Sequence, residues 1–213
     1  IRKFLFKTKK GNRIESVLMH DKKRTTICVS SQSGCILDCN FCATASMGFL
    51  QNLSSTEILD QVLYLASYSE SKITNIVYMG MGEPLMNYRS VMESGTLLKT
   101  KVGLGAKRIT ISTAGIASKI RQIADDNYGF KLAISLNASN ENTRNKIMPI
   151  TKKYSLLKIM KAAEYYFNKT KKLVTFEYVL LKDVNASVSD AENLMNLLKE
   201  FPCKLNVIPY NDI

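Results

Sequence analysis

The chain has 213 residues, 46% of them hydrophobic, with 30 basic and 18 acidic side chains and a net charge of +12. That apolar content is ample for the core of one large domain or two small ones, and no apolar run approaches the ~20 residues of a membrane span. The basic excess suits a polyanionic partner, nucleic acid first, and excludes nothing about a plain lysine-rich solvated surface.

In chain order, residues 3–6 and 13–19 read as short strands joined by a Lys-Gly-Asn turn at 10–12, with Glu15 in the second strand. Basic residues crowd this region: Lys9, Lys10, Arg13, Lys22, Lys23 and Arg24. Residues 25–30, Thr-Thr-Ile-Cys-Val-Ser, are β-branched and short, which predicts a buried strand. A cysteine-rich loop follows it. Ser54-Ser55-Thr56-Glu57 is a capping box, and Ile58, Val62 and Leu65 then share a helical face. The pattern next gives a strand at 75–79, the loop Gly80-Met81-Gly82-Glu83-Pro84, a helix at 88–100 and a strand at 108–112. A helix at 116–125, a strand at 131–135, a helix at 156–168, a strand at 174–180, a helix at 189–201 and a strand at 204–208 complete the chain. Lys152, Lys153, Lys169, Lys171 and Lys172 form later basic clusters. Six strands alternating with helices predict an α/β fold with a parallel sheet and right-handed crossovers. Six units are too few to close an eight-stranded barrel, so a partial (β/α)6 TIM-like barrel with a short N-terminal β-hairpin is expected.

The loop after residue 30 carries Cys35-Ile36-Leu37-Asp38-Cys39-Asn40-Phe41-Cys42. Three thiolates at C-x3-C-x2-C spacing can converge on one metal centre, and iron–sulfur clusters use short-spaced runs of this kind. With no fourth cysteine nearby, three thiolates on a four-iron cluster leave one iron open to a substrate. A zinc site of these cysteines with His20, the one histidine, is a competing reading, as are disulfides. Five cysteines are an odd number and the chain opens with no apolar signal segment, which favours a reducing cytosol, hence a cytoplasmic protein.

In such folds chemistry gathers beyond the C-terminal ends of the strands. Standing there are the Cys35–Cys42 loop, Gly82 and Glu83, Ser112 and Thr113, Ser135, Leu136 and Asn137, and finally Pro209, Tyr210 and Asn211. Taken singly, these are turn residues, N-caps or surface positions. Taken together on one rim with the cysteine loop, they predict a ligand site. Gly82 lets backbone approach a ligand closely, and Glu83 offers a carboxylate to an ammonium group.

The cysteine spacing, with Phe41 between the last two cysteines, resembles that of radical S-adenosylmethionine (SAM) enzymes. Six strings carry a closer likeness. They are Cys28-Val29-Ser30-Ser31-Gln32-Ser33-Gly34-Cys35, Tyr78-Met79-Gly80-Met81-Gly82-Glu83-Pro84-Leu85, Ile111-Ser112-Thr113-Ala114-Gly115, Met148-Pro149-Ile150, Thr175-Phe176-Glu177-Tyr178 and Asn206-Val207-Ile208-Pro209-Tyr210-Asn211. In order and spacing they resemble the RlmN type of RNA methyltransferase, which acts on C2 of an adenine in large-subunit rRNA and in tRNA. The resemblance implies that Cys35, Cys39 and Cys42 hold a 4Fe-4S cluster. It implies that Gly82, Glu83, Ser112, Ser135, Leu136, Asn137 and Asn211 line the SAM site. Glu15 matches the family's proton acceptor, and Cys28 matches the thiol that pairs with the methyl-carrying cysteine at product release. The implied partners are rRNA, tRNA and an electron donor of flavodoxin-like kind, with no membrane.

The family's route methylates a cysteine with one SAM. It then cleaves a second SAM reductively to a 5′-deoxyadenosyl radical, which activates that methyl for addition to C2. The target adenine must be unstacked to enter such a pocket. Two departures stand out. Asn137 occupies the place where the family usually has His; Asn keeps donor and acceptor capacity but takes no proton. No cysteine here matches the methyl carrier, and the chain starts with Ile, so it is expected to be the catalytic core of a longer protein, a core that by itself cleaves SAM without methylating RNA. The expected division is residues 1–20 as an N-terminal β extension and residues 21–213 as the radical SAM core, with the family's N-terminal accessory domain and C-terminal tail absent. Two other functions fit the motifs: the related adenine-C8 rRNA methyltransferase that confers antibiotic resistance, and a non-catalytic RNA-binding metal module.

Overall fold

A computed structural model of the protein describes residues 1–211, so positions 212 and 213 of the expected core domain lie outside the described residues. The chain forms two compact units, one of residues 1–36, 44–112 and 128–131, the other of residues 37–43, 113–127 and 132–213.

The first unit opens with strands β1 (Arg2–Lys7), β2 (Arg13–Asp21) and β3 (Arg24–Cys28). A two-stranded ribbon comes next, β4 (Gln32–Gly34) against β5 (Phe49–Asn52), then helix α1 (Ser55–Ser67), β6 (Asn75–Tyr78), α2 (Tyr88–Thr100) and β7 (Ile109–Thr113). β1 and β3 each pair antiparallel with β2, while β6 pairs parallel with both β3 and β7. The antiparallel hairpin expected at the N-terminus is therefore present, with its turn at Lys10–Asn12 closed by Gly11 N donating to the Thr8 carbonyl at 2.9 Å.

Alternation decides which side of this sheet is dry. Leu18, Ile27, Ile76 and Ile109 stand opposite one another across four strands and are fully buried. Ile58, Leu65, Val91 and Leu98 of α1 and α2 are equally buried. Each such side chain contributes about 1.5–3 kcal/mol on leaving water. Between them sits Gln61, also buried, whose amide ties α1 to the strands. Its Oε1 accepts from Ser16 Oγ at 2.5 Å and from Ser30 N at 2.9 Å, and its Nε2 donates to the Ser30 carbonyl at 3.1 Å.

The second unit contains α3 (Ala117–Asp126), β8 (Lys131–Ser135) from Leu132 on, α4 (Glu141–Ile147), α5 (Leu156–Thr170), β9 (Val174–Leu180), α6 (Val188–Leu198) and β10 (Cys203–Pro209). β8, β9 and β10 are parallel neighbours. Ile120, Ile134, Ile159, Ala163, Val174 and Phe176 form its buried interior.

The strands at 131–135 and 174–180 and the helix at 88–100 match the sequence reading to the residue. Other bounds moved. β3 ends at Cys28 rather than 30, because Ser30 turns its N–H onto Gln61 instead of a neighbouring strand. α6 stops at Leu198 rather than 201, and α5 runs on to Thr170, where Lys171 takes the left-handed conformation at φ 57°. Two elements were not foreseen. The β4–β5 ribbon is too short and polar to register as strand, and α4, Glu-Asn-Thr-Arg-Asn-Lys-Ile, has no apolar period.

The capping box is present as read: Ser54 Oγ accepts from Glu57 N at 3.2 Å, and Glu57 Oε2 accepts from Ser54 N at 2.9 Å. Ser54→Ala should lower unfolding free energy by about 1 kcal/mol in denaturant titration. An unchanged midpoint would show that packing alone sets the start of α1.

Candidate functional site

In the first unit, the register gathers the predicted residues on the face of the sheet opposite its dry core. Val17 stands opposite Cys28, Cys28 opposite Val77, and Val77 opposite Thr110, so Glu15 and Ser112 project to the same side two residues away. The Glu15 side chain is about half exposed, with Lys3 Nζ 3.2 Å from Oε2. Its main chain is fixed more firmly: Glu15 N donates to Met81 Sδ at 3.3 Å and its carbonyl accepts from Ser30 Oγ at 2.5 Å. Cys28 is half-buried, and burial pushes its thiol from 9.0 up to about 11, with a backbone hydrogen bond to Met79 acting the other way.

Gly82 and Glu83 come after β6. The Met81 carbonyl accepts from both Ser31 N (2.9 Å) and Gln32 N (3.1 Å), while Gln32 Oε1 accepts from Glu83 N at 2.8 Å. Gly82 is required there. Its φ is +94°, and a Cβ would fall 2.4 Å from Gln32 Cβ. The Glu83 carboxylate is buried, and its Oε1 accepts from Leu85 N at 2.9 Å, capping the short turn that begins at Pro84.

The cysteine loop is stapled at its base. Cys35 N donates to the Gly48 carbonyl at 2.8 Å, and Gly34, at φ +72°, permits the approach, since a Cβ on residue 34 would lie 1.8 Å from that oxygen. Residues 37–43 belong to the second unit. There Cys42 N donates to the Cys39 carbonyl at 3.0 Å, making a tight turn between the last two cysteines. Asn40 reaches the end of α4: its N donates to the Ile147 carbonyl at 3.0 Å and its Nδ2 to the Lys146 carbonyl at 2.7 Å. All five cysteines are reduced and half-buried. Among the described residues no three His, Cys, Asp or Glu side chains stand close enough to hold a single metal ion. His20 is engaged elsewhere, its Nδ1 3.2 Å from Thr25 Oγ1. A donor set of thiols alone fits an iron–sulfur cluster, in which each thiolate takes a separate iron and need not crowd one ion.

In the second unit, Ser135, Glu177 and Asn206 stand in a row across β8, β9 and β10. Burial raises the Glu177 carboxyl, opposed by Asn206 Nδ2, which donates to Oε2 at 2.6 Å. Leu136 is fully buried and its N donates to the Glu177 carbonyl at 2.9 Å. Asn137 takes the left-handed conformation at φ 56°. Its Oδ1 accepts from Val179 N at 3.0 Å and its Nδ2 lies 3.5 Å from Met148 Sδ. Asn tolerates that backbone, and its amide here serves the loop. Asn211 is exposed beyond β10. Neither Ser112 nor Ser135 caps a helix: α3 has Ile116 at its N-cap position and no side-chain cap, and α4 is capped by Asn140.

The residue that sequence reading missed is Arg144. It has no exposure to solvent, although it sits in a polar stretch that reads as surface. Its Nε donates to the Leu136 carbonyl (3.0 Å), Nη1 to Thr151 Oγ1 (2.8 Å), and Nη2 to the carbonyls of Ala114 (2.5 Å) and Ser135 (3.0 Å). Burial pulls the guanidinium down to about 10, with the charges of Cys39 and Glu141 opposing. It remains a cation at neutral pH. A groove of about 450 Å³ along α6 and β10, lined mainly by Leu, Val and Met, contains none of the predicted site residues.

Residues 29–198 match the family described as the Radical SAM superfamily. A "Probable dual-specificity RNA methyltransferase RlmN" from Clostridium botulinum is 48% identical over 213 residues, 99% of this chain and 61% of that protein. A relative of the same name from Dictyoglomus turgidum is 46% identical over 100% of this chain and 62% of its own length. The crystal structure of "a radical SAM methyltransferase from Sphaerobacter thermophilus" superposes with a TM-score of 0.95 at 42% identity, over 98% of this chain and 63% of that one. The chain thus spans less than two thirds of the length of these relatives. The expected α/β fold, a partial barrel with an N-terminal hairpin, agrees with these matches.

The Cys28 environment gives a direct test. With its thiol raised from 9.0 to about 11 on folding, its contribution to stability is complete below pH 9 and is lost as pH rises through about 11. At pH 9 the folded chain should carry roughly fifty-fold less Cys28 thiolate than the urea-unfolded chain, slowing its alkylation by iodoacetamide in proportion. Equal rates, read on the Cys28 peptide by mass spectrometry, would show an unperturbed thiol.

Proposed function

The chain belongs to the radical SAM superfamily, and from that premise we propose that it carries the core of an RNA methyltransferase acting on C2 of adenine in large-subunit rRNA and in tRNA. The observation that carries this reading is the Cys35–Cys39–Cys42 spacing on a stapled loop, in a chain 48% identical to a protein named a probable dual-specificity RNA methyltransferase. Cys35, Cys39 and Cys42 hold the 4Fe-4S cluster, which when bound supplies the electron for reductive cleavage of SAM. Everything else falls to this chain's own side chains.

Gly82 and Glu83 bring backbone and carboxylate to SAM, Glu83 accepting its ammonium group. Ser112, Ser135, Leu136, Asn137 and Asn211 supply its remaining contacts. Glu15, half exposed on β2, accepts the proton from the adenine carbon. Cys28, on the same sheet face, is a thiol that burial keeps protonated at neutral pH, so it gives up its proton before it pairs with the methyl-carrying cysteine at product release. Lys9, Lys10, Arg13, Lys22, Lys23 and Arg24 are all exposed, as contacts to RNA phosphates demand. No helix among the described residues is long and apolar enough to cross a membrane; we place the protein in the cytoplasm, with a flavodoxin-like protein as electron donor.

Reconstituted anaerobically with iron and sulfide, the chain should bind about four irons, as a single cluster requires, and release 5′-deoxyadenosine from SAM once reduced. Cys39→Ala should abolish both. Zinc uptake without iron would refute the cluster. The target atom is read in cells: deleting the gene should remove 2-methyladenosine from digests of large-subunit rRNA and tRNA. Loss of 8-methyladenosine instead would assign the C8 reaction, and no change in either nucleoside would refute the methyltransferase reading.

Glu83→Gln keeps an oxygen for the Leu85 cap but loses the charge. SAM affinity by calorimetry should fall by about 1.5–3 kcal/mol, the worth of a charge-assisted hydrogen bond. An unchanged affinity would confine Glu83 to its capping role.

A further inference from the structure

Helix α4, unforeseen from sequence, meets two parts of the second unit that the proposed function uses separately. Its last turn receives the cysteine loop: Asn40, between Cys39 and Cys42, donates through Nδ2 to the Lys146 carbonyl and through N to the Ile147 carbonyl. Its middle sends Arg144 to the end of β8, where the guanidinium takes the carbonyls of Ser135 and Leu136, and to the Ala114 carbonyl beyond β7. The fourth bond, to Thr151 Oγ1, locks the turn after the helix, and Thr151 in turn donates to the Met148 carbonyl at 2.7 Å. Gly115, next to Ala114, has φ +106° and no room for a Cβ, which would lie 2.6 Å from Ile159 Cδ1 of α5.

A guanidinium so fully removed from water is costly unless every donor is used. Here its fork fixes three carbonyls and a hydroxyl at set angles, which lysine with one rotating ammonium does not reproduce. Two of the carbonyls, those of Ser135 and Leu136, belong to the segment that presents Ser135, Leu136 and Asn137. Asn40 is a second, independent tie, on an exposed residue whose side chain fills no core.

We propose that α4 is a positioning bracket, with Arg144 setting the strand end proposed to contact SAM and Asn40 setting the cysteine loop that would hold the cluster, so that one short helix fixes the two segments relative to each other. Neither residue touches the reacting atoms; both act through the segments they hold. This rests on the radical SAM reading above.

The test compares wild type, Arg144→Lys, Asn40→Ala and, as a control on the same helix, Lys146→Ala. Each is reconstituted anaerobically, and iron content, SAM affinity per loaded cluster and the electron paramagnetic resonance spectrum of the reduced cluster with and without SAM are recorded. Wild type and Lys146→Ala should show a SAM-dependent change of spectrum. Arg144→Lys and Asn40→Ala should bind SAM about tenfold or more weakly per loaded cluster, and their spectra at saturating SAM should keep the SAM-free form or split into several. A merely structural role would lower iron loading or Tm while leaving the loaded fraction with wild-type affinity and spectrum; that result overturns the proposal. If Arg144→Lys does not fold, Asn40→Ala, which removes only a surface bond, decides by the same two readouts. Wild type that takes up no iron would instead refute the functional reading.

Discussion

Parallel strands cannot be joined by a tight turn. Each needs a crossover long enough to return to the start of its neighbour, so successive strands leave the sheet at the same edge. That constraint governs each unit. In the first, β3, β6 and β7 run parallel, with the cysteine loop beyond the end of β3 and the Gly80–Pro84 turn beyond the end of β6. In the second, β8, β9 and β10 run parallel, with Ser135–Asn137 at the end of β8 and Asn211 past the end of β10. The residues proposed for the chemistry sit on chain that has just left a rigid strand, which is where a fold can vary residues without losing its core. β2, antiparallel to β3, delivers Glu15 to the same edge from the opposite direction, its carbonyl held by Ser30 Oγ.

The loops at those ends are irregular, and their polar groups are satisfied by side chains that the strands and helices supply. Gln32, Gln61 and Arg144 are buried polar residues, and each ties a loop backbone to a packed element. Left without partners, such groups cost about 1–3 kcal/mol each, more for the charged one. The glycines work to the same end. Gly34 and Gly82 have positive φ and no room for a Cβ, so the backbone comes within reach of Gly48 and Gln32. The outcome is a set of loops with defined shape before any ligand arrives, the preorganisation that a reactive cofactor demands.

Much of this was legible in the sequence because it rests on periodicity and local chemistry. Strands at 131–135 and 174–180 are β-branched or apolar runs, and the Ser54 box names its own helix start. The cysteine spacing and the Gly-Met-Gly-Glu-Pro turn marked where to look. Arg144, Gln32 and Asn40 escaped because burial or pairing of a polar residue is a tertiary event: nothing in Glu-Asn-Thr-Arg-Asn-Lys-Ile announces that its arginine is the largest fully buried side chain among the described residues. Asn137 was read as a ligand contact in place of a histidine. Its left-handed backbone and its bond to Val179 N give the residue a conformational reason that spacing does not reveal.

The central claim is that this fold presents an iron–sulfur cluster with one open iron to SAM. The measurement that bears on it most directly is electron–nuclear double resonance on the reduced, reconstituted chain with SAM labelled at its amino nitrogen or carboxylate oxygen. The account predicts a hyperfine coupling from the label, which requires SAM to be bonded to the cluster. A cluster that forms and shows no coupling with saturating labelled SAM would contradict it.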